Sequence, residues 1–430
     1  MKEIFTGLTF CFTVLTAGAQ VSTLSGSGIA GYLDGTATSA QFNYPNGIGM
    51  DKAGNFYVAD WNNHMIRKIS PTGVVSTFAG TGVRGYMDGP AATAQFNDPW
   101  GIAVDGSDNV YVADAKNNVI RKITPAGIVS TLAGSGIASF ADGTGTAASF
   151  NYPAGIGVDD AGNVYVGDGN NNRVRKITPA GVTTTVAGDG SMGSTDGPAA
   201  SASFYGPNTM VITSTGDIYI TDVGNCRIRK ISGGYVTTFA GSTMGTADGK
   251  GTAAQFNKPH GILLDADGTF FVADTENNRI RKIAADGTVT TLTGSAAGFS
   301  DGPFNTALFS IPKCIASDKK GNLYITDEHN NRVRKLTGVA TGVKEATGTR
   351  EVSLYPNPAK DMIDIHCPAA EATAQIQVYN MLGQLVLEKT VATPNYQLNE
   401  RISLSQLTPG NYSLQVISGN TKSAGTVSKY

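Results

Sequence analysis

Six aspartates recur along the chain at steps of 52 to 54 residues, and an arginine follows each of them seven residues later. A carboxylate close to a guanidinium can take part in acid–base chemistry, but one active site needs one such arrangement and this one occurs six times. A repeated pair is better explained by packing, because an arginine buried without a carboxylate partner is costly. The sequence therefore predicts six structural ion pairs, Asp60–Arg67, Asp114–Arg121, Asp168–Arg175, Asp222–Arg229, Asp274–Arg281 and Asp327–Arg334.

A second aspartate, followed by glycine, precedes each of these pairs and offers an alternative partner for the arginine. Bidentate binding of the guanidinium by either carboxylate would set the spacing between neighbouring repeats. A phenylalanine follows this second aspartate after eight residues, and a proline follows the phenylalanine after three, in every copy. The second aspartates are Asp34, Asp88, Asp142, Asp196, Asp248 and Asp301.

Binding residues should lie where the six copies disagree on this otherwise constant frame. One variable position directly follows the repeated proline. The other is the turn that follows the aspartate of each Asp–Arg pair. A tryptophan at such a position is either a ligand anchor or a side chain that packs on the neighbouring repeat. The position after the proline also holds the small residue Ala154, in the third copy. From these two positions we predict a binding surface of Asn46, Trp61, His64, Trp100, Asn208, His260, Lys313 and His329.

Other patterns of reactive residues are weak. The three histidines of the repeats, His64, His260 and His329, have no ligand spacing typical of a metal site, so we interpret them as separate surface residues. Asp265 and Asp267 suggest calcium but lack the remaining positions of a calcium loop. Serine-hydrolase, zinc-protease and phosphate-loop motifs do not occur. We therefore predict no catalytic residue, no metal and no cofactor.

The segments that carry these residues have the pattern of short β-strands. In the third copy, apolar runs at 155–158, 164–168, 173–177 and 182–186 are separated by turns rich in Gly, Asn and Pro. The repeats contain no sustained helical period. Four antiparallel strands per repeat, repeated six times, predict an all-β, six-bladed β-propeller.

Closure of the ring is predicted from its ends. The sixth repeat stops after Leu336 without a fourth strand, and a segment of the missing type, Val21 to Gly26, stands before the first repeat. We expect this N-terminal strand to complete the last blade, which removes an open sheet edge.

The repeats resemble the NHL-repeat family of six-bladed propellers. The resemblance rests on strings such as Gly155-Ile156-Gly157-Val158-Asp159 and Asn172-Arg173-Val174-Arg175-Lys176-Ile177, and it covers about residues 21–338. The fourth copy departs from the pattern at Thr209 and Thr213, and the sixth at Cys314. The resemblance implies a propeller domain at 20–338.

The two ends of the chain carry export signals. Residues 1–19 have the basic start, apolar core and small-residue cleavage site of a secretory signal peptide, and no later stretch is long enough to span a membrane. Net charge is −2, which gives no reason to expect nucleic-acid binding. Three cysteines remain after cleavage of the signal peptide, and they are too few and too widely spaced to form a disulfide framework.

After a linker at 339–352, the segment 353–430 has a different pattern of alternating strands and turns, which predicts a small β-sandwich. Its Tyr-Pro-Asn-Pro, Val-Tyr-Asn, Leu-Gly-Gln and Leu-Thr-Pro-Gly-Asn-Tyr strings resemble the type A C-terminal sorting domain of type IX secretion cargo, found in the Bacteroidota. This resemblance implies binding to the type IX secretion machinery, passage through the periplasm, and a secreted or outer-surface product.

Two functions remain open from the sequence. The first is a monomeric surface or secreted module that binds a protein, peptide or glycan at the mouth of the propeller channel. The second is an enzyme, because propellers of related shape include lactonases and lyases with a metal in the channel. Only analogy of fold supports the second function.

Overall fold

The computed structural model describes residues 19–339, 352–369, 373–380, 384–394, 397–418 and 421–430. The chain divides into two compact units at about residue 341, and each is described by itself. The predicted signal peptide at 1–19 lies outside the described residues except for Ala19, and most of the predicted linker also lies outside them. No helix of the described part has the length and apolar character needed to cross a membrane.

The first unit is the predicted six-bladed propeller, in which each blade is an antiparallel sheet. The inner strands are Pro45–Met50, Pro99–Val104, Pro153–Val158, Pro207–Ile212, Pro259–Leu264 and Pro312–Ser317. The second strands are Phe56–Asp60, Val110–Asp114, Val164–Asp168, Ile218–Asp222, Phe270–Asp274 and Leu323–Asp327. The third strands are Met65–Ile69, Val119–Ile123, Arg173–Ile177, Arg227–Ser232, Arg279–Ile283 and Arg332–Thr337. The outer strands of blades 1 to 5 are Val75–Ala79, Ile128–Ala133, Val182–Ala187, Tyr235–Ala240 and Thr288–Thr293.

Blade 6 takes its outer strand from the start of the described chain. Gln20–Ser25 pairs antiparallel with Arg332–Thr337, with Gln20 opposite Thr337 and Val21 opposite Leu336. The two ends of the ring are thereby joined by a row of main-chain hydrogen bonds. Val21 is buried in the core that it shares with Phe271 and Leu336.

Five blades have one strand more than the four that we predicted. The Asp-Gly loop runs beside the outer strand and pairs with it over two residues, because its glycine adopts a positive φ that lets the chain turn along the sheet edge. In blade 1 the same contact is a single bridge between Gly35 and Val75. The additional strands are Gly89–Pro90, Gly143–Thr144, Gly197–Pro198, Gly249–Lys250 and Gly302–Pro303.

One-turn 3-10 helices replace the simple turns expected between the second and third strands. They are Trp61–Asn63, Ala115–Asn117, Gly169–Asn171, Val223–Asn225, Thr275–Asn277 and Glu328–Asn330, and two more, Gly145–Ala147 and Gly251–Ala253, lie in the connections between blades.

The apolar core lies between neighbouring blades. Tyr57 and Ile66 of blade 1, for example, pack in one cluster with Phe96 and Val112 of blade 2. The repeated phenylalanine of every blade is fully buried. Each blade therefore completes its neighbour's core, as expected for a repeat protein.

The repeated arginine is bound by both candidate carboxylates, one on each terminal nitrogen. In blade 3, Arg175 Nη1 donates to Asp168 Oδ2 at 2.7 Å, and Nη2 donates to Asp142 Oδ1 at 2.7 Å. Asp142 also accepts a bond from the backbone N–H of Thr185 in the outer strand of the same blade. The interaction therefore does not bridge two blades through one bidentate carboxylate; it ties the incoming connection to its own blade.

The inner strands approach one another closely around the channel. A Cβ atom added to Gly101 would lie 2.4 Å from the Ala154 carbonyl oxygen of the next blade, which explains the repeated glycine. In blade 4 that glycine is Thr209, and a threonine, Thr221, replaces the usual small residue in the second strand. The Thr221 hydroxyl donates to the His260 carbonyl at 2.7 Å. Blade 6 has the same two replacements, with Cys314 at the glycine position and Thr326 in the second strand, and the Thr326 hydroxyl donates to the Asn46 carbonyl of blade 1.

The second unit has two antiparallel sheets. One contains Ser353–Tyr355, Met362–Pro368 and Gln397–Ser403, and the other contains Leu385–Ala392, Thr373–Asn380, Gly410–Ser418 and Thr421–Lys429, in that order. Ile363 and Ile365 of the first sheet share a core with Ile376 and Leu414 of the second. This arrangement is the predicted small β-sandwich.

Candidate functional site at the channel mouth

The start of each inner strand lies at one mouth of the channel, and its backbone is held in an unusual conformation. The residue before the repeated proline has a positive φ in all six blades, between 49° and 65°, although only Gly206 among them is a glycine. The others are Tyr44, Asp98, Tyr152, Lys258 and Ile311. Non-glycine residues in this region are strained, and such positions are often found at functional sites.

Side chains of the preceding blade stabilise these strained residues. Asn118 Oδ1 accepts a bond from the Tyr152 backbone N–H at 3.0 Å, and Asn331 does the same for Tyr44 across the ring closure. His64 takes the asparagine's place in blade 1, where its Nδ1 accepts a bond from the Asp98 N–H at 3.2 Å. His64 is thus half-buried and engaged in an inter-blade contact, which differs from the separate surface residue that we predicted.

Four aromatic residues from blades 1 to 3 form a continuous edge-to-face series at this mouth. The ring centroids of Tyr44 and Trp61 are 6.0 Å apart, those of Trp61 and Trp100 are 5.4 Å apart, and those of Trp100 and Tyr152 are 5.9 Å apart. All four side chains are half-buried. Edge-to-face contacts of this kind fix the orientation of each ring.

Trp100 also reaches residues on the far side of the ring. Its ring centroid is 6.1 Å from that of His260 in blade 5, and Lys313 Nζ of blade 6 lies 5.4 Å from its centroid. Trp100 therefore extends across the channel mouth and contacts four other blades. The structure brings together four of the predicted residues here, Trp61, Trp100, His260 and Lys313.

The remaining predicted residues lie around this centre. Asn208 Nδ2 is 3.1 Å from His260 Nδ1, and the His329 ring packs against Tyr44 at 5.2 Å. Asn46 is buried, and blade 3 has the small, buried Ala154 at the position after its proline.

The charged groups of the mouth are paired and mostly buried. Glu328 Oε2 lies 3.3 Å from Lys313 Nζ, and both side chains are at most 10% exposed. Burial raises the pKa of Glu328, and the Lys313 ammonium partly offsets this effect. Burial, with a further contribution from Lys313, holds the pKa of His260 well below its usual value, so this imidazole is neutral at pH 7. Burial also raises the pKa of Tyr152 to about 12, with the carboxylates of Asp98 and Glu328 adding to the effect.

Several buried polar atoms at this mouth have no hydrogen-bond partner in the structure. They are the donors Asn46 Nδ2 and Trp61 Nε1 and the carboxylate oxygens Asp98 Oδ1 and Glu328 Oε2. The two oxygens lie in ion pairs, with Arg84 Nη2 at 3.8 Å and Lys313 Nζ at 3.3 Å, so only the two donors are without any partner among the described residues. Buried polar groups are nearly always hydrogen-bonded, so a cluster of exceptions calls for an explanation.

Sequence analysis missed Tyr44, Asp98, Tyr152 and Glu328 as members of the site. The first three occupy the position before the repeated proline, which varies between copies as much as the position after it. Glu328 stands in the variable turn beside His329. The same comparison of copies, applied to one more position, would have found the first three.

The opposite mouth has a cavity of about 680 Å³, lined by inner-strand ends and by the turns that follow them. Four of its carboxylates, Asp51, Asp105, Asp159 and Asp318, accept hydrogen bonds within their own turns, whereas Asp108 accepts one from the Lys52 N–H of the preceding blade. Asp105, for example, accepts bonds from both the backbone and side chain of Asn109 and from the Tyr111 hydroxyl. Burial opposes ionisation of Asp105, but these bonds hold its pKa below the usual range. Within the described residues no three His, Cys, Asp or Glu side chains are grouped to hold a metal ion.

Fold and repeat pattern define an NHL-type six-bladed propeller, and comparison with family models agrees. The NHL repeat model matches residues 42–69, 96–123, 150–177, 204–231, 256–283 and 309–336. The model of the secretion system C-terminal sorting domain matches residues 353–428. The chain is therefore an NHL-repeat propeller with a type IX sorting domain, and both predicted resemblances are confirmed. The sorting domain indicates export to the medium or the cell surface and implies contact with the secretion machinery.

Two relatives, from a plant and a mammal, align with more than half of this chain. Protein SUPPRESSOR OF QUENCHING 1, chloroplastic, of Arabidopsis thaliana is 32% identical over 281 residues, which are 60% of this chain and 27% of that protein. NHL repeat-containing protein 2 of Bos taurus is 26% identical over 334 residues, 72% of this chain and 41% of the relative. The chain thus spans less than half the length of either protein.

Solved structures show the same fold. An auxiliary nutrient binding protein from Bacteroides ovatus superposes with a TM-score of 0.58 at 20% identity, over 74% of this chain and 76% of that one. A protein of unknown function from Bacteroides thetaiotaomicron gives a TM-score of 0.59 at 21% identity, with the same coverage of both chains. At this identity the likeness concerns the fold alone.

Proposed function

We propose that this exported propeller is a binding module whose ligand, a protein, peptide or glycan, occupies the channel mouth centred on Trp100. The observation that carries the proposal is the convergence of four aromatic rings with two unpartnered hydrogen-bond donors, Trp61 Nε1 and Asn46 Nδ2, at one mouth. Ligand sites typically combine apolar and aromatic walls with a few precisely placed polar groups. Trp and Tyr are also the residue types most enriched among binding hot spots.

Variation between the blades supports this proposal. Blades 1 to 3 supply the aromatic side of the mouth, and blades 5 and 6 supply the polar side through His260, Lys313 and Glu328. The repeated frame does not require these residue types, because equivalent positions of other blades also hold smaller residues such as Ala154, Gly169 and Gly206. A purely structural role would not call for such an unequal distribution around a sixfold frame.

Binding of the purified full chain to combined peptide and glycan arrays tests the proposal. We expect Trp100→Ala to lose most of the bound signal, since removal of an aromatic anchor costs about 2 kcal/mol or more of affinity. Tyr235→Ala is the matched control, because Tyr235 is an exposed aromatic on the outer strand of blade 4, with 59% of its surface accessible. If both variants bind as the unaltered protein does, the channel mouth is not the binding site.

A further inference from the structure

We propose that the ligand of the channel mouth is a neutral oligosaccharide that packs its pyranose rings against the angled pair Trp61 and Trp100. This inference rests on the proposed function, since it names the chemical class of ligand for that same mouth. The observations that carry it are the angled aromatic surface, the two unpartnered hydrogen-bond donors, and the internal pairing of the charges.

The aromatic side of the mouth suits a flat ligand with an apolar face. The rings of Trp61 and Trp100 are inclined at 73° to each other, and that of Tyr152 at 67° to Trp100, so they form an angled surface with half-buried faces. A pyranose ring presents C–H groups on its faces and hydroxyls around its edge. Such a ring can cover an indole face while its hydroxyls remain free to bind polar neighbours.

The unpartnered polar atoms require a ligand that accepts hydrogen bonds. Trp61 Nε1 and Asn46 Nδ2 are donors without an acceptor, whereas Glu328 Oε2 lies 3.3 Å from Lys313 Nζ and Asp98 Oδ1 lies 3.8 Å from Arg84 Nη2. Asn46 is 3% exposed. A hydroxyl group supplies two acceptor positions and one donor, so a sugar can accept from both N–H groups. An ammonium group only donates and would leave them unsatisfied.

The charges at the mouth leave little attraction for an ionic ligand. Lys313 is paired with Glu328, and Asp98 Oδ2 is 2.9 Å from Lys116 Nζ. The cation site on the face of Trp100 is already taken by Lys313, which lies 5.4 Å from the ring centroid. An incoming ammonium would have to displace Lys313, and an incoming anion would meet the buried carboxylates of Glu328 and Asp98. A neutral ligand avoids both costs.

Calorimetric titration of the purified full chain with matched probes tests the chemical class. The neutral probes are cellotetraose, mannotetraose, galactotetraose and chitotetraose; the charged probes are tetragalacturonate and the deacetylated chitosan tetramer. We expect at least one neutral probe to bind, with an affinity that changes less than twofold between about 0.05 and 0.5 M NaCl, because screening acts on charge pairs. Binding confined to charged probes would overturn the inference.

Trp61→Phe gives the sharpest variant, because it keeps a six-membered aromatic ring while it removes the unpartnered N–H together with the rest of the five-membered ring. We expect it to weaken binding of the neutral probe about fivefold or more, the usual effect of losing one hydrogen bond. Tyr235→Ala should bind as the unaltered protein does. A Trp61→Phe variant that keeps full affinity would show that the indole N–H does not meet the sugar and would contradict the proposed arrangement.

Peptide arrays separate failure of this inference from failure of the proposed function. If peptides bind in a Trp100-dependent manner and no neutral oligosaccharide binds, the glycan class is wrong while the mouth remains a binding site. If neither peptides nor oligosaccharides bind in a Trp100-dependent manner, both proposals fail. Melting temperatures of the Trp100→Ala and Trp61→Phe variants identify any loss of binding caused by unfolding.

Discussion

Each repeated arginine is a fully buried cation whose two carboxylate partners come from different segments of its blade. Arg175 receives Asp168 from the second strand and Asp142 from the incoming connection, and it also donates to the Ser149 and Ala141 carbonyls. The guanidinium thus joins the connection that enters the blade to the second strand of that blade through hydrogen bonds. Its role is structural, because the same geometry occurs in all six blades.

Replacement of Arg175 by methionine should destabilise the propeller. The change leaves the fully buried carboxylate of Asp168 without its cation, which typically costs about 3–5 kcal/mol. Urea unfolding of the full chain measures the effect. Arg173→Met is the control, because Arg173 is half-buried, bonds to backbone carbonyls, and is replaced by Met65 in blade 1. Equal losses in both variants would contradict the special role of Arg175.

His260 should make the stability of the ring sensitive to acid. Its pKa in the folded protein lies well below the ordinary value of 6.5, through burial and the nearby Lys313 and Lys258. The contribution of neutral His260 to the free energy of unfolding is therefore complete above about pH 6.5. It is lost as the pH falls toward the pKa of the folded protein, because His260 of the unfolded chain takes up the proton first. Between pH 7.5 and 5 this contribution reaches at most about 2 kcal/mol.

Melting curves of the unaltered protein and of His260→Asn at these two pH values measure this contribution. Asparagine occupies the equivalent position in blades 1 and 4, as Asn46 and Asn208. We expect the variant to lose less stability than the unaltered protein on acidification, while the many carboxylates affect both proteins alike. Parallel losses in the two proteins would mean that His260 is protonated without difficulty in the folded state.

At the scale of the elements, the ring depends on one strand that is distant in sequence from its partner. Deletion of residues 20–25 would expose the edge of Arg332–Thr337 and break the continuity of the sixth blade. We expect the free energy of unfolding to fall by more than about 4 kcal/mol, which is as much as the most destabilising point mutations cost. The Tm measured by calorimetry should fall accordingly. The control is a chain that begins at Gln20. Equal Tm values for the two chains would show that this strand is dispensable.

At the scale of the whole molecule, the sorting domain and the propeller have separate cores and separate tasks. We predict that removal of residues 353–430 leaves the protein inside the cell envelope of its own host while the propeller stays folded, because each unit has its own hydrophobic cluster. Cell fractionation followed by immunoblotting measures the location, and protease resistance of the retained protein measures folding. Truncated protein in the medium or at the surface would refute the sorting role.

The number of blades, the ring closure and the sorting domain follow from patterns that are local in the sequence. A strand is specified by a few residues of alternating chemistry and by the turns beside it, and the copies repeat that information six times. Separate copies of Asp, Arg, Phe and Pro therefore identify the frame without any knowledge of the fold. The additional two-residue strands escaped prediction because they arise where a loop meets a sheet edge.

The composition of the channel mouth was decided only by tertiary structure. Trp100 and His260 are 160 residues apart in the sequence, and they meet because a closed ring places blade 2 opposite blade 5. His64 has the chemistry of a ligand, yet the ring uses its Nδ1 to hold the strained Asp98. Local sequence records which side chains can bind, stack or ionise. Which of them converge, and which are already engaged by a neighbouring blade, depends on contacts between segments that no local pattern encodes.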